Sequence, residues 1–229
     1  MARRYFLDTL PSPGTTRLEG ALAHHLANVL RSNPGDVVVL ADGLGNQCPA
    51  TVQRVRDGMV NAMVAEATYT ERPVRSIHLA FAPPRSSRAD WVFEHATEVG
   101  VAVFWPLLTA HSRSRQLRTD RWHKIIRAAA GQCDRAWLPE IREPRSLEDF
   151  LAEEALPKTR YIATAGGPDL PATANDEALL LVGPEGGFRP QEQEQAEAAG
   201  FQPCGLGPHV LRTETAALVG AAMLRGNAS

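Results

Sequence analysis

Leu181-Val182-Gly183-Pro184-Glu185-Gly186-Gly187-Phe188 is the stretch on which the reading of this chain turns. An apolar run from Leu179 to Val182 leads straight into three glycines, a proline and one carboxylate. Such a run reads as a short buried strand. Glycines just beyond a strand let the backbone approach a ligand closely and leave N–H groups free. In an open α/β sheet, ligands bind at the carboxyl ends of the strands. A tight strand-to-helix connection uses the same residues, and spacing alone does not separate the two. The segment is not a P-loop, because no Gly-Lys-Ser/Thr follows, and it lacks the G-x-G-x-x-G of dinucleotide folds.

Working outward, residues 74–229 alternate strands with helices. Strands are expected at Ile77–Ala82, Val101–Leu107, Tyr161–Thr164 and Leu179–Val182. Helices are expected at Ala89–Val99, Arg121–Cys133, Gln191–Ala199 and Thr215–Leu224. In the first, Trp91, Val92, His95, Ala96 and Val99 share one side, and Gly100 stops it. Pro190 opens the third and Gly200 follows it. This alternation predicts an α/β fold with a mainly parallel sheet and helices on both faces. Residues 165–177, rich in Ala, Pro, Gly and Asp, read as a loop.

Residues 1–70 read differently. Ala21–Leu30 fits a short helix, and Asn33-Pro34-Gly35-Asp36 a turn. Val37–Ala41, Pro49–Val55 and Met59–Ala65 fit strands joined through Asp42-Gly43, Gly45-Asn46 and Asp57-Gly58. Short strands with glycine turns predict a small β-barrel. The polar stretch Glu66–Arg75, which contains Pro73, sets the boundary between the two domains.

Composition narrows the function classes. Of 229 residues, 44% are hydrophobic and 22% charged, as in a globular protein with a real core. No apolar run approaches the roughly 18 residues of a membrane span, and the N-terminus lacks a secretory h-region. The three dispersed cysteines, Cys48, Cys133 and Cys204, suit reduced thiols and a cytoplasmic setting. The seven histidines show no metal-ligand spacing, so no metal is expected. G-x-S-x-G is absent, which argues against a serine hydrolase. Net charge is −2, so a nucleic-acid surface must be local. The segment from His111 to Arg127 holds six Arg/Lys and one acid. It reads as a phosphate-binding patch rather than only a solvated helix face.

A second unusual segment is Leu206-Gly207-Pro208-His209-Val210-Leu211-Arg212-Thr213-Glu214-Thr215-Ala216. Thr213 or Thr215 would cap the helix that follows, and Glu214 suits its positive end. Together, Gly-Pro-Glu-Gly-Gly-Phe and the later Val-Leu-Arg-Thr-Glu-Thr-Ala resemble the SPOUT methyltransferases, and most of all the RsmE family, which makes 3-methyluridine in 16S rRNA. The resemblance covers nearly the whole chain. It includes His25-Leu26, Val29-Leu30-Arg31, Gly35-Asp36, Asp42-Gly43, Ala96-Thr97-Glu98-Val99-Gly100-Val101, Pro106-Leu107, Arg121-Trp122 and Gln132-Cys133 with Arg135. Three positions depart from the family pattern: Arg85-Ser86-Ser87-Arg88 stands for Lys-Gly-Asp-Arg, Gly131 for Glu, and Arg189 for a Ser/Thr helix cap. With Glu192 kept but Arg189 unable to accept, the capping box before the third helix is expected to be broken.

The resemblance implies a PUA-like RNA-binding β-barrel over residues 1–70 and a SPOUT domain with a C-terminal trefoil knot over residues 74–229. It also implies homodimerisation and a bent S-adenosylmethionine. Cofactor contacts would come from Thr164, Ala165, Gly166, Val182, Gly183, Pro184, Glu185, Gly186, Gly187, Leu206, Gly207, Pro208, Val210, Leu211, Thr215 and Ala216. Arg212 would stabilise the uridine anion at its carbonyls, and Glu214 would orient it or accept a proton. Glu185 could instead serve only the loop amides, and Arg212 and Glu214 a salt bridge and a cap. RNA would be held by Arg4, Arg31, Arg85, Arg88, Arg113, Arg115, Arg118 and Arg135, with Arg3 extending the track. The expected partner is 16S rRNA or the small ribosomal subunit. Of Trp91, Trp105, Trp122 and Trp137, most are expected in the core. Two rivals stand beside this reading: a non-catalytic RNA-binding module, and a methyltransferase acting on another RNA atom such as a ribose 2′-hydroxyl.

Overall fold

A computed structural model describes residues 2–84, 87–108, 118–171 and 176–226. The chain forms two compact units, Met1–Arg72 with Arg127–Leu138, and Pro73–Ile126 with Pro139–Ser229. The boundary at Arg72/Pro73 lies within the polar stretch singled out in the sequence. The first unit differs from a contiguous 1–70 domain because it also takes in residues 127–138. Three contacts explain this: Arg4 pairs with Asp134 at 2.9 Å, the Leu44 and Trp137 backbones form an antiparallel bridge, and Arg127 reaches Asp8 at 3.0 Å. Gly131 replaces the family's glutamate where a Cβ would stand 2.6 Å from the Arg4 carbonyl oxygen, so no side chain fits.

The first unit contains β1 (Arg4–Phe6), β2 (Gly14–Leu18), α1 (Gly20–His24), β3 (Val37–Ala41), β4 (Asn46–Arg56), β5 (Met59–Val64) and β6 (Thr68–Tyr69). Sheet order is β1-β3-β4-β5-β2, with β6 paired to β4. β1 and β3 run parallel, and the other pairs are antiparallel. The helix expected over Ala21–Leu30 is α1 followed by a π-helical turn, His25–Val29, closed by Leu30 N–H to the His25 carbonyl. Arg31, at φ 52°, ends it. Alternate residues Val38 and Leu40 of β3, Cys48, Ala50 and Val52 of β4, and Val60, Ala62 and Val64 of β5 join Leu18 and Leu26 in one core. That period-two pattern decides which face is buried.

The second unit contains β7 (Ser76–Phe81), α2 (Ser87–Glu98), β8 (Val101–Leu108), the part of α3 (Thr119–Gln132) up to Ile126, β9 (Glu140–Ile141), β10 (Arg145–Ser146), α4 (Leu147–Leu151), β11 (Arg160–Ala163), β12 (Glu177–Val182), α5 (Pro190–Ala198), β13 (Gln202–Cys204) and α6 (Thr213–Arg225). Its sheet has the order β10-β8-β7-β12-β11-β13, with β9 on β8, and every pair is parallel.

Leu179 and Leu181 of β12, Ala80 of β7, and Val103, Trp105 and Leu107 of β8 face Leu147 and Phe150 of α4 and Ala196 of α5. On the opposite face α6 packs on β7 and β12, beside α2. There Phe93 lies 5.3 Å from Phe81, 4.9 Å from Phe104 and 4.4 Å from Trp122, ring centre to ring centre. The central strands are covered on both faces, which is why they read as continuous apolar runs rather than alternating ones. The buried side of α2 is Ala89, Val92, Phe93, Ala96 and Thr97, while Trp91 turns outward and stacks on His95. The expected shared face was therefore displaced by Phe93, whose ring outcompetes Trp91 for the interior. Trp105 and Trp122 are buried, Trp137 half-buried and Trp91 exposed.

At the start of α5, Arg189 N–H donates to the Glu192 carboxylate at 2.7 Å. A guanidinium has no acceptor to return to the helix, so half of the reciprocal cap survives rather than none.

Gly220 lies on the buried face of α6, where a Cβ would run into the fully buried Leu180, with Leu206 on the other side. Gly220→Val is expected to cost about 1–3 kcal/mol through overpacking. Urea denaturation would read this, and unchanged stability would show that α6 has room to shift.

Candidate active site

β12, β11 and β13 are neighbours in the sheet, so the segments leaving their carboxyl ends meet. Together with the start of α6 they form a cleft. Its lining is Ala163, Thr164 and Ala165; Val182, Gly183, Pro184, Glu185, Gly187 and Phe188; and Leu206, Gly207, His209, Val210, Leu211, Thr213 and Ala216.

Local chemistry dictates each wall. After β12 a turn closes from Gly187 N–H to the Pro184 carbonyl at 2.8 Å, with Gly187 at φ 70°. Gly183 has no room for a side chain larger than hydrogen without moving Phe188, whose ring carbons would be 3.1 Å from a Cβ. The connection is thus tight and also faces the cleft, so the two readings of this segment describe one structure. After β11, a turn from Gly167 N–H to the Thr164 carbonyl (3.1 Å) reverses the chain. The chain then crosses the segment after β13: Gly205 N–H donates to the Pro168 carbonyl at 2.6 Å, and Leu170 N–H to the Gly205 carbonyl at 3.1 Å. Thr213, expected as a helix cap, is buried, and its hydroxyl donates to the Gly183 carbonyl at 3.0 Å, tying α6 to the β12 loop. Arg212 is the residue at the N-cap, with no side-chain cap.

Most residues expected at the cofactor line this cleft. Gly166, Gly186, Pro208 and Thr215 do not, although Gly166 and Gly186 belong to the turns that shape it. Sequence reasoning missed Ala163, Phe188, His209 and Thr213 as lining. The run Arg212-Thr213-Glu214 carried a signal for Thr213, because a hydroxyl at a helix start can bond a neighbouring loop as readily as its own helix.

The charged groups divide at the mouth. Arg212 is exposed and has no ion pair among the described residues. Glu214 is largely buried: its Oε1 lies 3.7 Å from Arg88, and its Oε2 is buried without a hydrogen-bond partner. Arg88 also donates from Nη1 to Glu185 at 2.7 Å.

The arginines expected to meet RNA fare unevenly. Arg4 is turned inward, held by Asp134 at 2.9 Å and Gln47 at 2.7 Å, so it is a structural residue of the first unit. Arg135 is half-buried and bonds the Trp137 carbonyl. Arg31 is exposed, and Arg118 lines a surface depression with Arg121 and Lys124. Arg85, Arg113 and Arg115 lie outside the described residues. Among the described residues no group of three or more His, Cys, Asp or Glu could hold a metal ion, and no helix is long and apolar enough to cross a membrane.

The RNA methyltransferase domain profile matches residues 70–225, and the RNA methyltransferase PUA domain profile residues 18–58. The chain belongs to the RNA methyltransferase family. Within that family, ribosomal RNA small subunit methyltransferase E of Mycobacterium bovis is 33% identical, over 96% of this chain and 89% of that protein. The protein of the same name from Synechocystis is 32% identical, over 92% of this chain and 72% of that protein. Among solved members, ribosomal RNA small subunit methyltransferase E from Neisseria gonorrhoeae, bound to S-adenosyl methionine, superposes with a TM-score of 0.88 at 28% identity. That match covers 98% of this chain and 97% of the other.

At the end of β13, burial pushes the Cys204 thiol up from 9.0 to about 11. Burial also raises the Tyr161 phenol, with Cys204 adding to it. Because folding raises the thiol's pKa, the folded state holds that proton more tightly. The resulting stability is full below pH 9 and is lost as pH rises through about 11. Urea denaturation across this window should show a decline that is shallower in Cys204→Ala, and parallel declines would count against a buried thiol here.

Proposed function

We propose that this chain transfers a methyl group from S-adenosylmethionine to N3 of a uridine in 16S rRNA, with the cleft at the ends of β11, β12 and β13 as the cofactor site. The observation that carries this reading is the convergence of three strand-end loops, built from glycine turns, with Arg212 left unpaired beside them. Relatives named for small-subunit rRNA methylation, one of them solved with S-adenosyl methionine, support it.

The residues present fit such a cofactor. Val182, Leu206, Leu211 and Ala216 offer apolar surface for a flat base, and the turns after β11 and β12 offer backbone groups rather than charges. Gly166 and Gly186 belong to the turns that shape these walls. A Cβ on Gly205 would stand 2.5 Å from the Gly167 carbonyl oxygen, so the segments after β11 and β13 cross backbone to backbone. This close crossing supports the threaded, knotted path of a SPOUT domain.

When bound, S-adenosylmethionine supplies an electrophilic methyl on sulfonium sulfur. Uridine N3 is a poor nucleophile until it loses its proton. Arg212, exposed and unpaired, favours the anion by donating to a uracil carbonyl. Glu214 offers a buried, unpartnered oxygen that accepts from N3–H or orients Arg212. The Thr213 hydroxyl keeps both at the cleft by anchoring the first turn of α6.

Arg31, Arg118 and Lys124 are exposed and suit phosphate contacts, and Arg85, Arg113 and Arg115, outside the described residues, are proposed to share that role. A homodimer is supported by exposed Trp91 and Met223 on the adjacent helices α2 and α6. A cytoplasmic site of action follows from an rRNA substrate.

Labelled S-adenosylmethionine and small ribosomal subunits lacking the modification test the reading directly. Nucleoside mass analysis should reveal 3-methyluridine. A ribose-methylated product would reassign the target atom, and loss of cofactor binding would favour an RNA-binding module. Arg212→Ala should lower transfer by about a hundredfold or more while cofactor affinity stays near wild type. Normal turnover would remove Arg212 from the mechanism.

A further inference from the structure

We infer that Arg88 is a positioning residue of the active site, clamping Glu185 and Glu214 together, rather than an RNA-phosphate ligand. The inference rests on the methyl-transfer reading above. Arg88 lies in the first turn of α2 and approaches carboxylates from two distant stretches of chain. Its Nη1 donates to Glu185 Oε1 at 2.7 Å, and its Nε stands 3.7 Å from Glu214 Oε1. Glu185 belongs to the loop that leaves β12 and lines the cleft; Glu214 belongs to the first turn of α6. One guanidinium therefore joins three elements around the cleft mouth.

Charge explains why a cation is needed there. Two carboxylates at one rim repel, and one of them, Glu214, has only 13% of its side chain exposed. A buried carboxylate is costly unless an opposite charge and hydrogen bonds compensate it. Arg88 supplies that charge on the Oε1 side and leaves Oε2 open, buried and without a partner. The unsatisfied oxygen awaits a donor, which the uridine N3–H or Arg212 can provide. A planar fork serves both carboxylates at once, whereas a lysine ammonium is a point charge on a flexible stem. Nη1 of Arg88 is hydrogen-bonded to Glu185 and its Nε is ion-paired with Glu214 at 3.7 Å, so its charge is directed at the two carboxylates, while Arg212 has no ion pair among the described residues.

The test compares Arg88→Ala, Arg88→Lys and Glu185→Gln in the full chain. Arg88→Ala should lower kcat by at least about tenfold. RNA affinity and its dependence on salt should stay at wild-type levels. Arg88→Lys should restore part of kcat, and Arg88→Ala combined with Glu185→Gln should be no slower than Arg88→Ala alone. Normal kcat with weaker RNA binding, and a salt slope reduced by about one, would make Arg88 a phosphate ligand and overturn the clamp. Additive losses in the double variant would overturn it too. Amide exchange gives a readout independent of turnover. Exchange across residues 183–188 and 212–216 should rise in Arg88→Ala, and unchanged exchange overturns the clamp. Absence of methyl transfer by the wild-type chain would instead end the methyl-transfer reading, leaving the exchange result to decide the role of Arg88.

Discussion

The segments after β11 and β13 cross at Gly167 and Gly205, backbone against backbone. Gly205 donates to the Pro168 carbonyl and accepts from Leu170, and its Cβ position is filled by the Gly167 carbonyl. Backbone polar groups in a covered region must be paired, and here each crossing segment pairs the other. That mutual satisfaction holds the two loops at the depth where they form opposite walls of one cleft. The third wall, the β12 loop, is attached to α6 by the Thr213 hydroxyl on the Gly183 carbonyl and to α2 by Arg88 on Glu185. Because α6 begins at the Thr213 bond, Arg212 and Glu214 are delivered to the mouth by the same contact that closes the cleft.

Charge is used sparingly around this site. The walls are apolar or backbone, and ionic groups gather at the rim, where Arg88 faces two acids and Arg212 faces none. A cofactor that carries its own charge and a flat base needs shape and backbone donors more than ion pairs. An RNA substrate needs cations outside the pocket. Arg118 and Lys124, exposed on the same unit as the cleft, are the proposed source of such cations in a chain whose net charge is −2.

Residues with strong periodicity or an unusual composition were legible in the sequence. Val37–Ala41 appears as a strand at its expected limits, and the central strands β7, β8 and β12 announce themselves because both faces are covered. The glycine turns after β12 and before α6 marked the cleft. What escaped were elements of two or three residues, such as β1, β6, β9 and β13, which are too short to show a period. Partnerships across long stretches of chain escaped too. Arg4 looks like a free cation near the N-terminus, yet Asp134 claims it. Arg88 looks like part of a basic loop, yet Glu185 and Glu214 claim it. Periodicity reports which side of an element is covered and says nothing of which distant charge covers it.

The proposed cofactor site is one cleft walled by three strand-end loops. Amide hydrogen exchange of the full chain, with and without S-adenosylmethionine, tests it most directly. Protection should appear together in residues 163–167, 182–188 and 204–213, with the sheet of the first unit unchanged. Protection confined to one of these segments, or found instead in the first unit, would contradict the assignment.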